Sequence, residues 1–318
     1  MFVLDSHCDT PTQIVRGRDL SKDNENAHID IPKLKRGGVD AAFFALYIPA
    51  RLSENAAYEC ALRQYEAVKD VVQSNPCSVA FALTEAQAHE NKANGLFSVF
   101  LGLENGSPIG HSLERLQEFY DKGVRYMTLC HSKDNQICDS CAGNNTWGGL
   151  SPFGREVVAE MNRLGMLIDV SHVADDTFYD VLECSTSPVV ATHSCCRALA
   201  DHPRNMTDDM IKALAAKGGV IQINFYPVFL QDDYELESQS SVIPSYTRIA
   251  DNIDHVVELV GIDHVGIGSD FDGIEVAPDG LEDVSKMPVL FDELRRRGYS
   301  EDDLAKLASR NFFNVLSC

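Results

Sequence analysis

The sequence predicts an α/β protein built as a (β/α)8 barrel, and three observations predict it. Eight short apolar runs rich in β-branched residues alternate with helical patterns along the chain. The runs read as strands buried on both faces, which is the signature of an all-parallel sheet covered by helices. Several of them end on histidine, aspartate or glutamate, as expected when a parallel barrel gathers its chemistry at the C-terminal rim. A length of 318 residues suits such a barrel, which typically takes about 250 residues or somewhat more. A doubly wound open sheet is the structural alternative.

The predicted strands are Phe2–Asp5, Ala41–Ile48, Ser98–Leu103, Arg125–Cys130, Met166–Val170, Val189–Thr192, Val220–Phe225 and Val265–Gly268. Helical spacing marks Asn55–Ser74, Thr84–Lys92, His111–Lys122, Pro152–Leu164, Ala174–Leu182, Thr207–Lys217 and Ser245–Val260, with a last helix over Asp302–Ser309 that plugs or flanks the barrel. Ser151 before Pro152, and Thr207 before two aspartates, are N-cap signals. Gly123, Gly165, Gly219 and Gly261 fall just past helix ends, where a left-handed cap favours glycine. The long connections Arg16–Lys35, Ser132–Gly149 and Pro227–Pro244 follow strands and belong over the rim. No linker or composition break marks a second domain, so residues 1–318 read as one.

Composition excludes several partner classes. With 27 Lys and Arg against 48 Asp and Glu, a net charge of −21, the chain lacks the clustered cations that nucleic acid or an anionic membrane surface requires. No apolar run approaches the roughly 18 residues of a membrane span. MFVLDSHCDT lacks the basic-then-apolar order of a signal peptide, so a cytoplasmic protein is expected. The ten cysteines are accordingly expected as thiols. Cys138 and Cys141 form a lone CxxC, weak support for a structural zinc.

Chemistry is densest between Gly165 and Ser194. GMLIDVSH ends at His172 and PVVATHS at His193, with a helical span between. Parallel strands joined by a crossover helix end at the same edge, so the two imidazoles are expected side by side as metal ligands. VLDSHCD adds His7 and Asp9, whose side chains two apart on a strand share a face while Cys8 points away. SVFLGLENG adds Glu104, GVRYMTLCH adds His131, and HVGIGSDFDG adds Asp270. Imidazole and carboxylate suit Zn²⁺, Mn²⁺ or Fe²⁺. The economical assignment is two ions, one on His7 and Asp9, the other on His172 and His193, with Glu104 shared between them. Ions so bridged sit about 3.5 to 4 Å apart and activate a water for attack on a carbonyl. Asp270 and Asp272 share a face by the same period; the bland alternative for either is a solvated turn acid before Gly273, and Asp270, nearer the strand, is the candidate proton shuttle. His131 is the candidate donor to a developing oxyanion.

These segments resemble the membrane or renal dipeptidases and their bacterial relatives, zinc dipeptidases of the amidohydrolase superfamily. The resemblance covers SHCDTP, GLENG, VRYMTLCHS, FGREVVAEMNRLGMLIDVSH, ATHS, HPRNMTDDMIKALA, GIGSDFDG and NFFNVL, nearly the full chain. It implies a (β/α)8 barrel with two zinc ions, hydrolysing the peptide bond of dipeptides, L-D dipeptides being open. It also implies His7 and Asp9 on the first zinc, Glu104 bridging, and His172 and His193 on the second. His131 would hold the scissile carbonyl oxygen, Arg204 the free carboxylate of the substrate, and Asp270 would move the proton to the leaving amine. A planar two-pronged guanidinium suits that carboxylate. Ser6, where many relatives have glycine, and the loop Gln136–Gly149 depart from the family pattern, so side-chain preference is the least transferable property.

Two rivals remain. Another amidohydrolase acting on N-acyl amino acids or related carboxylate-bearing amides would share most of these residues. A phosphotriesterase-like site is disfavoured because the fourth strand ends in His131 and offers no lysine for a bridging carbamate. A metal-bound binding protein without catalysis would be expected to have lost His131 or Asp270, and both are present. A homo-oligomer is left open by the sequence.

Overall fold

The computed structural model describes residues 1–232, 234, 236 and 242–317. Its strands are β1 (Leu4–Cys8), β2 (Ala41–Tyr47), β3 (Val79–Phe81), β4 (Phe97–Glu104), β5 (Val124–Thr128), β6 (Leu167–Asp169), β7 (Val190–Ser194), β8 (Val220–Ile223) and β9 (Val265–Ile267). All ladders are parallel, in the order β1-β2-β4-β5-β6-β7-β8-β9. At the seam between the last and first strands, Asp9 N–H donates to Phe271 O at 2.9 Å and Asp270 N–H to His7 O at 3.0 Å. The sheet is thus a nearly closed eight-stranded barrel, the predicted (β/α)8 class.

The extra strand β3 pairs with Phe97–Val99 of β4, and β5 takes over from Leu101 onward. Three residues were too short a run to read as a strand. The first strand lies later than predicted, so His7 is inside it rather than beyond it. Within the long connection Arg16–Lys35 a helix over Ile31–Gly37 begins, with Asp30 capping Lys33 N–H at 2.8 Å and Pro32 in its first turn. Pro227–Leu230 likewise forms one helical turn, while residues 233, 235 and 237–241 of that connection lie outside the described residues, as does Cys318.

The predicted crossover helices are present, with Ser151 capping Gly154 N–H at 2.9 Å and Thr207 capping Met210 N–H at 3.2 Å. Gly165 takes the left-handed cap, at φ +71°. Gly219 does not: Gly218 carries the positive φ, +78°, and a Cβ on Gly219 would come 2.3 Å from Val189 O. The position was shifted by one because both glycines lie past the same helix end.

Side chains alternate along each strand between two cores. Phe44, Leu101, Met127 and Ile168 pack outward against the helices. Phe43, Phe100 and Tyr126 fill the inside of the barrel, joined from below by Phe312 and Phe313. The helical run Glu301–Ala305, Lys306–Arg310 and Asn311–Leu316 contains a π turn and closes the N-terminal end of the barrel. Phe312 meets the Phe43 ring at 5.2 Å and Phe313 meets Phe2 at 5.6 Å. Among the described residues no helix is long and apolar enough to cross a membrane.

Candidate metal centre

The opposite end of the barrel is polar, and its side chains come from six strands. His7 points inward from β1 while Cys8 faces Phe43 O in the outer layer. Asp5, beneath them, accepts from the backbone N–H of Ser269 at 2.9 Å and of His7 at 3.3 Å, tying β1 to the loop after β9. Glu104 is the last residue of β4, and His193 lies within β7. His131, His172 and Asp270 stand three residues beyond β5, β6 and β9. His172 and Asp270 adopt φ of +70° and +62°, local strain of the kind that persists only where the surroundings enforce it. Gly273 is required beside them, since a Cβ there would lie 2.1 Å from Asp9 Oδ2 and 2.5 Å from Asp270 Oδ1.

The donor atoms converge on one space. His7 Nε2 is 3.4 Å from Glu104 Oε2, and Glu104 Oε1 is 3.1 Å from His172 Nε2 and 3.5 Å from His193 Nε2. The two imidazole nitrogens His172 Nε2 and His193 Nε2 are 3.0 Å apart. Two donors on one zinc, with bonds of about 2.1 Å and a tetrahedral angle, stand about 3.4 Å apart, so these separations fit shared ions. His7 Nε2 to Asp9 Oδ1, 4.0 Å, approaches the limit of about 4.2 Å that two such bonds can span. His7 Nε2, Asp9 Oδ1 and Glu104 Oε2 are buried without any hydrogen-bond partner. Buried polar atoms are almost always satisfied, and unpaired acceptors aimed at one point are what a cation would satisfy.

Three trios lie within ligand reach: His7, Glu104 and His193; Glu104, His131 and His172; and His7, Asp9 and Asp270. Glu104 and His7 each belong to two of them, as a bridged pair of ions requires. His131 and Asp270 stand at the same range as the expected ligands, so their roles rest on chemistry rather than distance. Cys138 and Cys141 join no such group among the described residues.

Electrostatics point the same way. Burial, with His7 opposing and Glu104 adding, pushes the Asp270 carboxyl up to about 6. Burial together with Glu104 and Asp270 carries Asp9 well above the carboxylate range. Burial works against Glu104 too, but His7, His172 and His193 outweigh it and hold its carboxyl low. Burial keeps His172 and His193 neutral, helped by Arg204 and, for His193, by His7. Three crowded carboxylates that cannot all ionise unaided, facing the neutral imidazoles of His172 and His193 and a His7 whose burial is outweighed by Glu104 and Asp270, which raise its pKa, are a donor set suited to divalent cations.

Above this cluster opens a cavity of about 450 Å³, whose walls include Gln13, Arg16, Tyr47, His131, Ile274 and Glu275. His131 has Nδ1 unpaired and buried, and its ring meets Tyr47 edge-on at 5.0 Å. Arg204 is 5% exposed. Its Nη1 donates to Ser194 Oγ at 2.8 Å and its Nη2 to His193 O at 2.6 Å, while Nε is unpaired. Three of the five guanidinium protons therefore remain to be satisfied. Asn224 Nδ2 donates to Asp270 Oδ2 at 2.9 Å. Neither aspartate is a solvated turn acid: Asp272 is buried against Arg18, Thr10 and His28, with Arg18 Nη1 at 2.6 Å. Tyr47, Arg16, Asn224 and Glu275 were missed, since nothing in their local sequence separates a wall residue from any strand-end or loop residue.

A (β/α)8 barrel whose rim collects imidazoles and carboxylates around one space is the frame of a metal-dependent hydrolase. The chain belongs to the membrane dipeptidase family, peptidase family M19, whose model matches residues 1–318. It is 35% identical over 337 residues to an uncharacterized dipeptidase of Schizosaccharomyces pombe, covering 98% of this chain and 80% of that protein. Dipeptidase verJ of Clonostachys rogersoniana is 34% identical, with 99% and 83% covered. Among solved structures, a metallopeptidase of Rhodobacter sphaeroides bound to a phosphinate mimic of L-Ala-D-Ala superposes with a TM-score of 0.92. It shares 28% identity and the match covers 100% of this chain and 99% of that one. The protein is thus a metallo-dipeptidase, a hydrolase of peptide bonds.

Proposed function

We propose that the centre holds two zinc ions and that the enzyme cleaves dipeptides bearing a free C-terminal carboxylate. His7 and Asp9 would hold one ion and His172 and His193 the other, with Glu104 shared between them. The observation that carries this is the convergence of unpaired buried donors on His7, Asp9 and Glu104. When bound, the ions polarise the scissile carbonyl and make a water nucleophilic near neutral pH. The remaining work falls to side chains. Arg204 orients the substrate through its carboxylate, with protons that Ser194 and His193 leave unused. His131 donates to the carbonyl oxygen as charge develops there. Asp270, aimed by Asn224, accepts a proton from the attacking water and delivers it to the leaving amine. The family match over the whole length supports one catalytic domain, and nine unpaired cysteines among the described residues support a cytoplasmic setting.

Elemental analysis of the purified enzyme should approach two zinc per chain, and chelation should abolish turnover. Assays of turnover should span L-L and L-D dipeptides, because the Rhodobacter relative binds a mimic of L-Ala-D-Ala. C-terminal amides should be poor substrates. Full activity in a metal-free preparation would sink the reading.

A further inference from the structure

Asp169, at the end of β6, is fully buried, and no lysine or arginine among the described residues pairs with it. Its Oδ1 accepts the backbone N–H of Ser171 at 3.0 Å and of Thr192 at 2.9 Å. Its Oδ2 accepts the hydroxyls of Thr128 at 2.5 Å and Thr192 at 2.7 Å. A buried carboxylate with no cationic side chain is costly, and this one ties together the strands that lead to His131, His172 and His193.

The Thr192 hydroxyl also lies 2.8 Å from His193 Nδ1. A hydroxyl has one proton. If that proton pointed at the imidazole, lone pairs of the hydroxyl and the carboxylate would face each other at 2.7 Å. The proton therefore lies on the Asp169 side, and the hydroxyl accepts from His193. That puts the imidazole proton on Nδ1 and leaves the lone pair on Nε2, the atom facing His172 Nε2 and Glu104. His7 has a different support: its Nδ1 meets the Tyr126 hydroxyl at 2.8 Å, with no further hydrogen bond from that hydroxyl among the described residues.

We infer that Asp169, acting through the Thr192 hydroxyl, is a positioning residue for the metal ligand His193. It selects the ligating tautomer, fixes the ring, and supplies negative charge that tightens the ion held by His172 and His193. This rests on the two-zinc reading above. It extends the usual carboxylate–histidine–metal arrangement by one hydroxyl, so that one buried charge serves the site across a strand.

The test is zinc loss from the holoenzyme to a competing chelator. Partners of this kind are worth about 10- to 100-fold in metal affinity. Thr192→Val, which keeps the shape and removes the hydroxyl, should loosen one of the two zinc equivalents by that factor and leave the other unchanged. Thr192→Ser, which restores the hydroxyl, should hold both like the parent. Thr128→Val removes a different hydroxyl from the same Asp169 oxygen; a merely structural role predicts equal zinc loss there, whereas the relay predicts none. If Thr192→Val does not fold, Thr192→Cys replaces it, with a weaker acceptor and an intermediate loss. Retention of both ions by the Val or Cys variant, or equal loosening by Thr128→Val, overturns the inference. A parent enzyme without zinc would instead overturn the zinc reading.

Discussion

The two ends of the barrel solve opposite problems with the same strands. At the N-terminal end Phe43 and Phe100 stack at 4.8 Å and Phe312 closes over them, forming an apolar plug. At the C-terminal end, buried nitrogen and oxygen atoms stand unpaired, carboxylates crowd one another, and two expected site residues hold left-handed backbone angles. Tyr126 is the boundary between the two, its ring 5.2 Å from Phe43 and its hydroxyl on His7. A Cβ at position 102 would strike that ring at 2.2 Å, so Gly102 makes the crossing possible. Stability is thus concentrated at one end and reactivity at the other, and the two should respond separately to substitution.

The largest expected effect is on the reactive end. Asp270→Asn should lower kcat/KM by about 10²- to 10⁴-fold with zinc content unchanged. The base must be ionised, so parent activity falls as pH drops through the Asp270 pKa. Burial sets that value at about 6 in the protein alone, and adjacent cations draw it lower, so the acid limb should lie below about pH 6 and vanish in the variant. Loss of zinc instead would make Asp270 a ligand. Phe312→Ala should cost about 3 to 5 kcal/mol of stability by opening a cavity in the plug, read from denaturant midpoints, while kcat of the folded enzyme stays at the parent value. A matching drop in kcat would break the separation of the two ends. Arg204→Met should weaken dipeptide cleavage by about 2 to 5 kcal/mol in kcat/KM and erase the discrimination against C-terminal amides; unchanged discrimination gives Arg204 another task. Smallest is Ser300→Ala, which removes the capping box that starts the plug helix. It should lower the melting temperature, by about 0.5 to 2 kcal/mol in stability, without touching activity.

The reactive end was more legible in the sequence than the plug. Ligand-type residues at the ends of apolar runs stand out against their neighbours, and parallel topology then forces them to one rim, which is why His7, Asp9, Glu104, His131, His172, His193 and Asp270 could be named and come together there; Arg204, beyond such a run, was reached only through the family resemblance. Phe312 and Phe313, in contrast, lie past the last expected helix, Asp302–Ser309, which the sequence left as plugging or flanking the barrel; the helical run continues through Leu316, and its partners lie across the whole chain. Tyr126 and Asp169 were hidden for a related reason. Each reads as an ordinary member of its strand, and only the distance across the barrel, to His7 in one case and through Thr192 to His193 in the other, shows what it touches. The burial of Asp272 could not be read from sequence because Arg18, which covers it, comes from a long connection 254 residues away.

The seam between β1 and β9 carries a consequence for how the enzyme is made. Ser269 N–H meets the Asp5 carboxylate across 264 residues, and closing a loop of that length costs on the order of 5 kcal/mol of chain entropy. Contacts so distant in sequence form late, after nearer strands have paired. His7, Asp9 and Asp270 sit on that seam, so peptidase activity returns only with the last closure. The single tryptophan, Trp147, lies instead in the connection after β5, donating to Asn135 O at 2.9 Å. In refolding, its emission should recover before catalysis does, making turnover a clock for the final step of assembly.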